Sequence, residues 1–541
     1  MKTELGMKSY KGFDRLNRLT SILLLVLLVA CNNKEIDYEM LNAQAAAEYN
    51  IPIRPGYEGR NPYWNEFAVK FMYAPAFDFQ EVEGAAYYQY TITPKNNAEQ
   101  KSWVMTAQKP NTSLAPIWQE VEVGQVVLKV EAMNEQGKAI ATVGEREFLR
   151  DFPFCGPYHD AVRDYKESAI LGLLAIHNMK AIQSWKHSLE PDMSDHHNTY
   201  ACKIIGSTVR CEVLLAQLCP TLKDDALKIA ENAMQFLINQ SQPADAPLAY
   251  FPPTYYLDYA ASRDAENIGK TMTLEPLTVA HALLELYNLT GKKEYLNRTM
   301  NITDTYTRLQ AEDGSFPIKI DYQTGEPVNE VKASLDPLLW FLLRLESEYG
   351  ITKYKDMRTR AERWMQEVAV EKFDLTGQFE DVSVLGLKPY ENLTNCTFAP
   401  YGAYLLAKET TSDKEMQDAL DMIRFSEDQF VCWDYLPNQH GVKIHYAPCV
   451  HEQYKFRTPI DNSACIMAEA WLNLYKHTGN ELHLTKAKAM IDNITIMQNI
   501  NTGMLSTYWC ISKGTTWLNC AHKSITMLLM FDELQNEQKK D

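Results

Sequence analysis

The chain has 541 residues, 46% hydrophobic and 23% charged, a composition that suits a folded chain of two or three domains. Its net charge is −17 and it carries no long basic run. That excludes a nucleic-acid partner, because phosphate binding needs clustered Lys and Arg. The 30 Tyr and 10 Trp suit stacking on sugars, although most such rings belong to cores and groove walls.

The first element is a basic stretch followed by an apolar run from Ile22 to Ala30 and then Cys31. The run is too short to span a bilayer and suits a secretory signal. Its ending, LVAC, resembles a bacterial lipobox, which implies lipid on the Cys31 thiol and a membrane partner through that anchor. The following NNKEIDYE resembles the charged signal that sends some lipoproteins to the cell surface. The expected location is therefore the outer membrane, on the cell surface or the periplasmic face. Residues 32–60 read as a tether.

Residues 61–152 then read as strands: AAYYQYTITP, SWVMTA, VVLKVEAMN and AIATVGEREFLR alternate apolar and polar residues, with PKNN and NEQGK as turns. The pattern is close to a small β-sandwich of fibronectin III or immunoglobulin type.

From 153 to 541 the period changes to 3.6. About twelve helices are expected, near 160–183, 201–219, 223–241, 272–289, 293–311, 333–349, 353–369, 396–408, 412–431, 461–477, 481–499 and 519–535. ALLELYNLTGKKEYL (Ala282–Leu296) aligns with AWLNLYKHTGNELHL (Ala470–Leu484) at an offset of 470 − 282 = 188. The same offset maps Asp304 onto Asp492 and Gln310 onto Gln498. Gly291 and Gly479 fit helix C-termini. Paired helices with this repeat resemble the (α/α)6 toroid, with the last helix closing on the first; the overall class is mainly α. A superhelical repeat array is the rival architecture.

Connections inside pairs are short and those between pairs are long, which places the long loops on one face and marks it as functional. They carry Asp195, His196, His197, Asn198 and Tyr200; Tyr250, Phe251, Tyr255 and Tyr256; Asp313, Phe316 and Asp321; Glu380, Asp381 and Tyr390; Trp433, Tyr446, His451, Glu452, Tyr454, Arg457 and Asp461; and Tyr508, Trp509 and Trp517. Aromatic walls with carboxylates suit sugar binding, and glycoside hydrolysis usually needs two carboxylates. Glu452 is the first candidate acid, with Glu380 and then Asp381 as its partner. His197, Asn198, Tyr255, Tyr256, Phe316, Trp433, Tyr446, Arg457, Asp461 and Trp509 are candidate sugar contacts. Asp461 also reads as a helix N-cap, and Glu275 as compensation for a helix dipole. Tyr454 or His451 as a base would instead serve a polysaccharide lyase or uronyl C5-epimerase.

No CxxC, HExxH, GxGxxG or P-loop pattern occurs, so no metal or other cofactor is expected. Lipid anchor, β domain and toroid together resemble the carbohydrate-active proteins of Gram-negative glycan degraders. That resemblance implies an oligo- or polysaccharide substrate and a glycosidase; a non-catalytic glycan-binding lipoprotein is the remaining alternative. Nothing in the sequence sets the oligomeric state.

Overall fold

The computed structural model describes residues 36–56, 62–95, 101–257, 267–376, 386–434, 447–509 and 515–539. Cys31 and the apolar run before it lie outside them. Among the described residues no helix is long and apolar enough to cross a membrane.

The expected tether instead contains a helix, α1 (Tyr38–Glu48). The Asp37 side chain accepts the Met40 N–H at its start, and Leu41 and Ala45 are buried. The strands follow as β1 (Lys70–Phe71), β2 (Tyr87–Pro94), β3 (Trp103–Ala107), β4 (Gly124–Met133) and β5 (Ala139–Arg150). They form one sheet in the order β1-β5-β4-β2-β3, antiparallel except for β1 beside β5. Alternation along β2 and β4 buries Tyr88, Tyr90, Ile92, Val126, Leu128 and Val130 on one face. Phe148 of β5, in register with Val126, extends that face and packs with Phe71 and Trp118. Among the described residues these five strands make one sheet, and the second sheet of a sandwich is not among them.

The helical region comprises α2 (Tyr165–His177), α3 (Gly206–Leu218), α4 (Lys223–Gln240), α5 (Pro276–Thr290), α6 (Lys293–Leu309), α7 (Asp336–Tyr349), α8 (Lys355–Trp364), α9 (Asn395–Ala407), α10 (Asp413–Phe430), α11 (Asp461–Thr478), α12 (Glu481–Met497) and α13 (Leu518–Gln538). Neighbours in sequence pack as pairs: α3 with α4, α5 with α6, α7 with α8, α9 with α10, α11 with α12. The first member of each pair also packs on the first member of the next, α11 packs on α13, and α13 packs back on α3 and against α2. Gly291 and Gly479 end α5 and α11 in the left-handed region, at φ 71° and 68°, as the repeat requires.

The repeat extends to side chains. Asp304 on α6 accepts the Tyr354 hydroxyl at 2.8 Å, and Asp492 on α12 accepts that of Tyr165. Gln310 holds the Gly314 carbonyl at 3.1 Å, and Gln498 holds that of Gly503 at 2.7 Å. α2 therefore stands against α12 as α8 stands against α6.

The sheet is docked on the end of α10. Asp428 accepts the backbone N–H groups of Met72 and Tyr73, at 2.5 and 2.8 Å. Buried Glu427 is held by Lys486 at 2.9 Å, the Tyr49 hydroxyl at 2.7 Å and Trp433 Nε1 at 3.1 Å. Lys70 pairs with Asp151 at 2.7 Å and donates to the Val431 carbonyl at 2.6 Å.

Candidate active site

Residues at or just before the first turns of five helices of the closed series come together. Lys203, in the single π-turn before α3 (Ala201–Ile205), approaches Glu275 at the head of α5 to 3.5 Å. Glu275 is 6% exposed, and its second carboxylate oxygen has no hydrogen-bond partner among the described residues. Asn395 at the head of α9 donates to the Ser463 carbonyl in the first turn of α11 at 3.1 Å. Cys520 lies in the first turn of α13. Burial pushes its thiol well up, Asp461 and Glu452 push the same way, and Lys203 opposes them. Two carboxyl groups and an ammonium, from α11, the loop before it and the turn before α3, thus lie within electrostatic reach of one buried thiol.

Asp461 is the central acid of this cluster. It is the first residue of α11 and not its cap; Ile460 occupies the cap with extended backbone. The Asp461 carboxyl accepts the Asn462 N–H at 2.7 Å and the Ser524 hydroxyl at 3.0 Å. Burial outweighs both bonds and pushes it up to about 8, so it carries its proton at neutral pH. Asp461 thus sits one residue inside the expected cap position, and its carboxyl still accepts an N–H of the helix start, that of Asn462.

Glu452 is half-buried. Its carbonyl accepts the Asn395 N–H at 2.9 Å and the Thr394 hydroxyl at 3.0 Å, which binds its strand to the head of α9. Its own N–H donates to the Thr458 carbonyl. Glu380, Asp381 and Tyr446 lie outside the described residues.

An aromatic wall adjoins the acids. Trp517 stands 4.7 Å from the His197 ring and 5.3 Å from Tyr200, and Tyr200 stands 5.8 Å from Tyr255. Thr507 links wall and acid: its carbonyl accepts the Asp461 N–H at 3.0 Å and its hydroxyl accepts the Trp517 N–H at 2.9 Å. Phe456, 42% exposed, stands 6.4 Å from Tyr508.

Several sequence candidates lie elsewhere. Tyr454 donates its hydroxyl to Gln429 at 2.6 Å, and burial raises its pKa. Arg457 lies over the Tyr454 ring at 5.5 Å. His451 is 2% exposed and its N–H donates to the Phe430 carbonyl, which sets it in the β-pair that follows α10. Trp433 packs among Phe154, Tyr158 and Trp471, and Phe316 packs on Tyr306; both are core residues. Trp509 is buried beside the cluster instead: its N–H donates to the Pro459 carbonyl at 3.1 Å, two residues before Asp461. Asn198 is buried and donates to the Asp192 carbonyl, and Tyr256 packs edge-on against Phe236 with its hydroxyl on Glu190. An aromatic in a loop is a poor guide to exposure when the loop itself packs inward.

The sequence reasoning missed Lys203, Cys520 and Ser524. Their signal was position, at or near the head of a helix in the repeat. A further buried acid, Asp336 at the head of α7, is pushed up to about 7 by burial despite a 2.7 Å bond from Ser334. One to two turns along the same helices lies an ionic group. Arg210 grips Glu285 through Nε and Nη2, at 3.0 and 2.8 Å. Arg344 reaches Glu285 at 3.5 Å and His281 Nδ1 at 2.9 Å. Glu285 is held near 2: burial pushes upward, but Arg210, His522 and Arg344 outweigh it. His522 is held near 3, chiefly by burial and then by Arg210. Among the described residues no cluster of His, Cys, Asp and Glu could hold a metal ion.

No family model matches the chain, and no curated protein matches it. Among solved structures, a family 76 glycoside hydrolase from a bovine Bacteroides thetaiotaomicron strain is similar at 9% identity and TM-score 0.47, over 88% of this chain and 99% of that one. The family 76 α-mannanase of Bacteroides thetaiotaomicron is similar at 13% identity and TM-score 0.47, over 69% and 98%. The cellobiose 2-epimerase of Spirochaeta thermophila is similar at 12% identity and TM-score 0.45, over 68% and 98%. Likeness at this level ties no residue of this chain to a residue of those enzymes.

Proposed function

We propose that the chain is a glycan-processing enzyme, a glycoside hydrolase whose helices form an (α/α)6 toroid with its site at the heads of the inner helices. The observation that carries this reading is the buried Asp461 carboxyl, held by Ser524 and joined through Thr507 to the Trp517 wall, with Glu452 in electrostatic reach of the same buried thiol, Cys520. Asp461, protonated at neutral pH, suits a general acid that protonates the leaving oxygen. Glu452 suits the second carboxylate, acting on water or on the anomeric carbon; Glu380 or Asp381 is the alternative for that role. Lys203 and Glu275 suit sugar hydroxyls, and Trp517, His197, Tyr200 and Tyr255 suit a sugar face.

The closed series of helix contacts, and the matching Asp304–Tyr354 and Asp492–Tyr165 bonds, support the toroid. Lyase and epimerase chemistry lose support because the Tyr454 hydroxyl is engaged with Gln429. Export with lipid on Cys31, to the outer membrane, remains part of the proposal. Labelling cells with a fatty-acid analogue should mark the wild type and leave Cys31→Ala unmarked.

The deciding experiment is a glycan screen with mass analysis of products. Hydrolysis gives new reducing ends that carry the elements of water. Products with a C4–C5 double bond would instead make this a lyase, and binding without turnover that persists in Glu452→Gln would make it a binding protein.

A further inference from the structure

Two buried cysteines sit opposite each other in the β-pair that follows α10. β8 (Val431–Cys432) leaves the end of α10, and β9 (Cys449–Val450) returns to pair with it, antiparallel, with Cys432 in register with Cys449. Residues in register on such strands project to the same face. The His451 N–H donates to the Phe430 carbonyl at 2.8 Å, which makes Cys432 and Cys449 a hydrogen-bonded pair by alternation. Such a pair has Cα atoms about 5.5 Å apart, inside the roughly 4.4–6.8 Å of disulfides. Its Cβ atoms stand about 4.5–5.5 Å apart, against about 3.8 Å in a disulfide. Two-residue strands have little ladder to resist that small approach. The Cys432 Sγ now donates to the Asp434 carbonyl at 3.0 Å, a bond that oxidation would replace.

We infer that Cys432 and Cys449 are a disulfide-forming pair, a covalent staple just ahead of Glu452 in the chain. Formation is thiol–disulfide exchange with a small-molecule disulfide. One thiolate attacks the oxidant and releases its first thiol; the second thiolate attacks the mixed disulfide and releases the other. The pair loses two protons and two electrons, and the oxidant becomes two thiols. Both cysteines are buried once folded, so the exchange belongs to the folding chain. Export would supply the oxidising compartment, but the pairing itself rests on β8 and β9 and stands whatever the site catalyses.

The full chain is refolded in a buffer of oxidised and reduced glutathione, alkylated and digested with trypsin without reduction. Lys443 is the one Lys or Arg between the two cysteines, so cleavage separates residues 425–443 from 444–455. The expected product is these two peptides joined, two hydrogens lighter than their sum, parting on reduction. In Cys449→Ser, Cys432 should instead be alkylated. The same map on Cys155→Ser, which lacks an exposed thiol able to scramble disulfides, should still give the joined peptide. Finding both cysteines alkylated in refolded wild type, or either joined to a different cysteine in Cys155→Ser, overturns the inference.

Discussion

Ser524 Oγ donates to Asp461 Oδ2 at 3.0 Å, across the packed α11 and α13. The bond favours the ionised acid and restrains a pKa that burial raises to about 8. A general acid loses activity as pH rises through its pKa. Ser524→Ala should therefore move the alkaline limb of the pH–rate profile to higher pH, while Asp461→Asn should lower kcat by about 10²–10⁴-fold. An alkaline limb unmoved by Ser524→Ala would remove Asp461 from the acid's role.

Trp517→Ala removes the ring between His197 and Tyr200 but leaves the Thr507 bond, which uses the Trp517 backbone. KM should rise about tenfold with kcat changed much less, since a stacking face of about 1–1.5 kcal/mol binds ground and transition states alike. An equal fall in kcat would place the ring in the chemistry.

Asp336 has a folded pKa raised to about 7, against about 3.9 unfolded. The folded state holds the extra proton, so this contribution is complete below about pH 4 and is lost as pH rises through 7. Asp336→Asn cannot ionise. Its Tm should fall less than that of the wild type between pH 4 and 7 in calorimetric scans, the range between the two pKa values.

His522 has the opposite sign. Its folded pKa near 3 lies below the unfolded value of about 6.5, so its contribution is present above 6.5 and is lost as pH falls toward 3. Glu285, held near 2, adds to the loss once pH drops below its unfolded value of about 4.3. His522→Gln should show a shallower fall in Tm between pH 7 and 4.

Glu427→Gln would leave Lys486 buried with its nearest anion gone; the other carboxylate, Glu48, stands 3.6 Å away. The expected loss is about 3–5 kcal/mol, the usual cost of breaking one side of a buried pair. Denaturant unfolding of the whole chain measures it, since Glu427 also holds Tyr49 and Trp433 and so joins α1 to the helices.

The helical repeat was legible because its signals are local: the 188-residue offset found Gly291 and Gly479, and Asp304 and Asp492 do make matching bonds. The tether was misread because the weak amphipathicity of α1 hides a docking set by distant residues on α12. Among site residues, Glu452, Asp461, His197 and Tyr255 fall in or beside the cluster. Trp433, Phe316 and Tyr454 do not, because loop position says nothing of which way a loop packs. Lys203 and Cys520 were hidden for the converse reason: each reads as ordinary helix, and only the meeting of helix heads gives it a role.

The Tyr165–Asp492 bond joins residues 327 positions apart, at the seam where α2 meets α12 and α13. A ribosome releases α2 long before the surface that will cover it exists. Until the last helix emerges, α2 and the inner face of α11 are both open to water, and to other chains. Closure entropy grows only as the logarithm of the span, so its length weakens the finished seam only slightly. The delay makes the carboxyl-terminal helix a late-arriving keystone: truncation before Leu518 would strip the cover from both ends of the helical domain at once, and newly made chains would be most prone to aggregate in the moments before it docks.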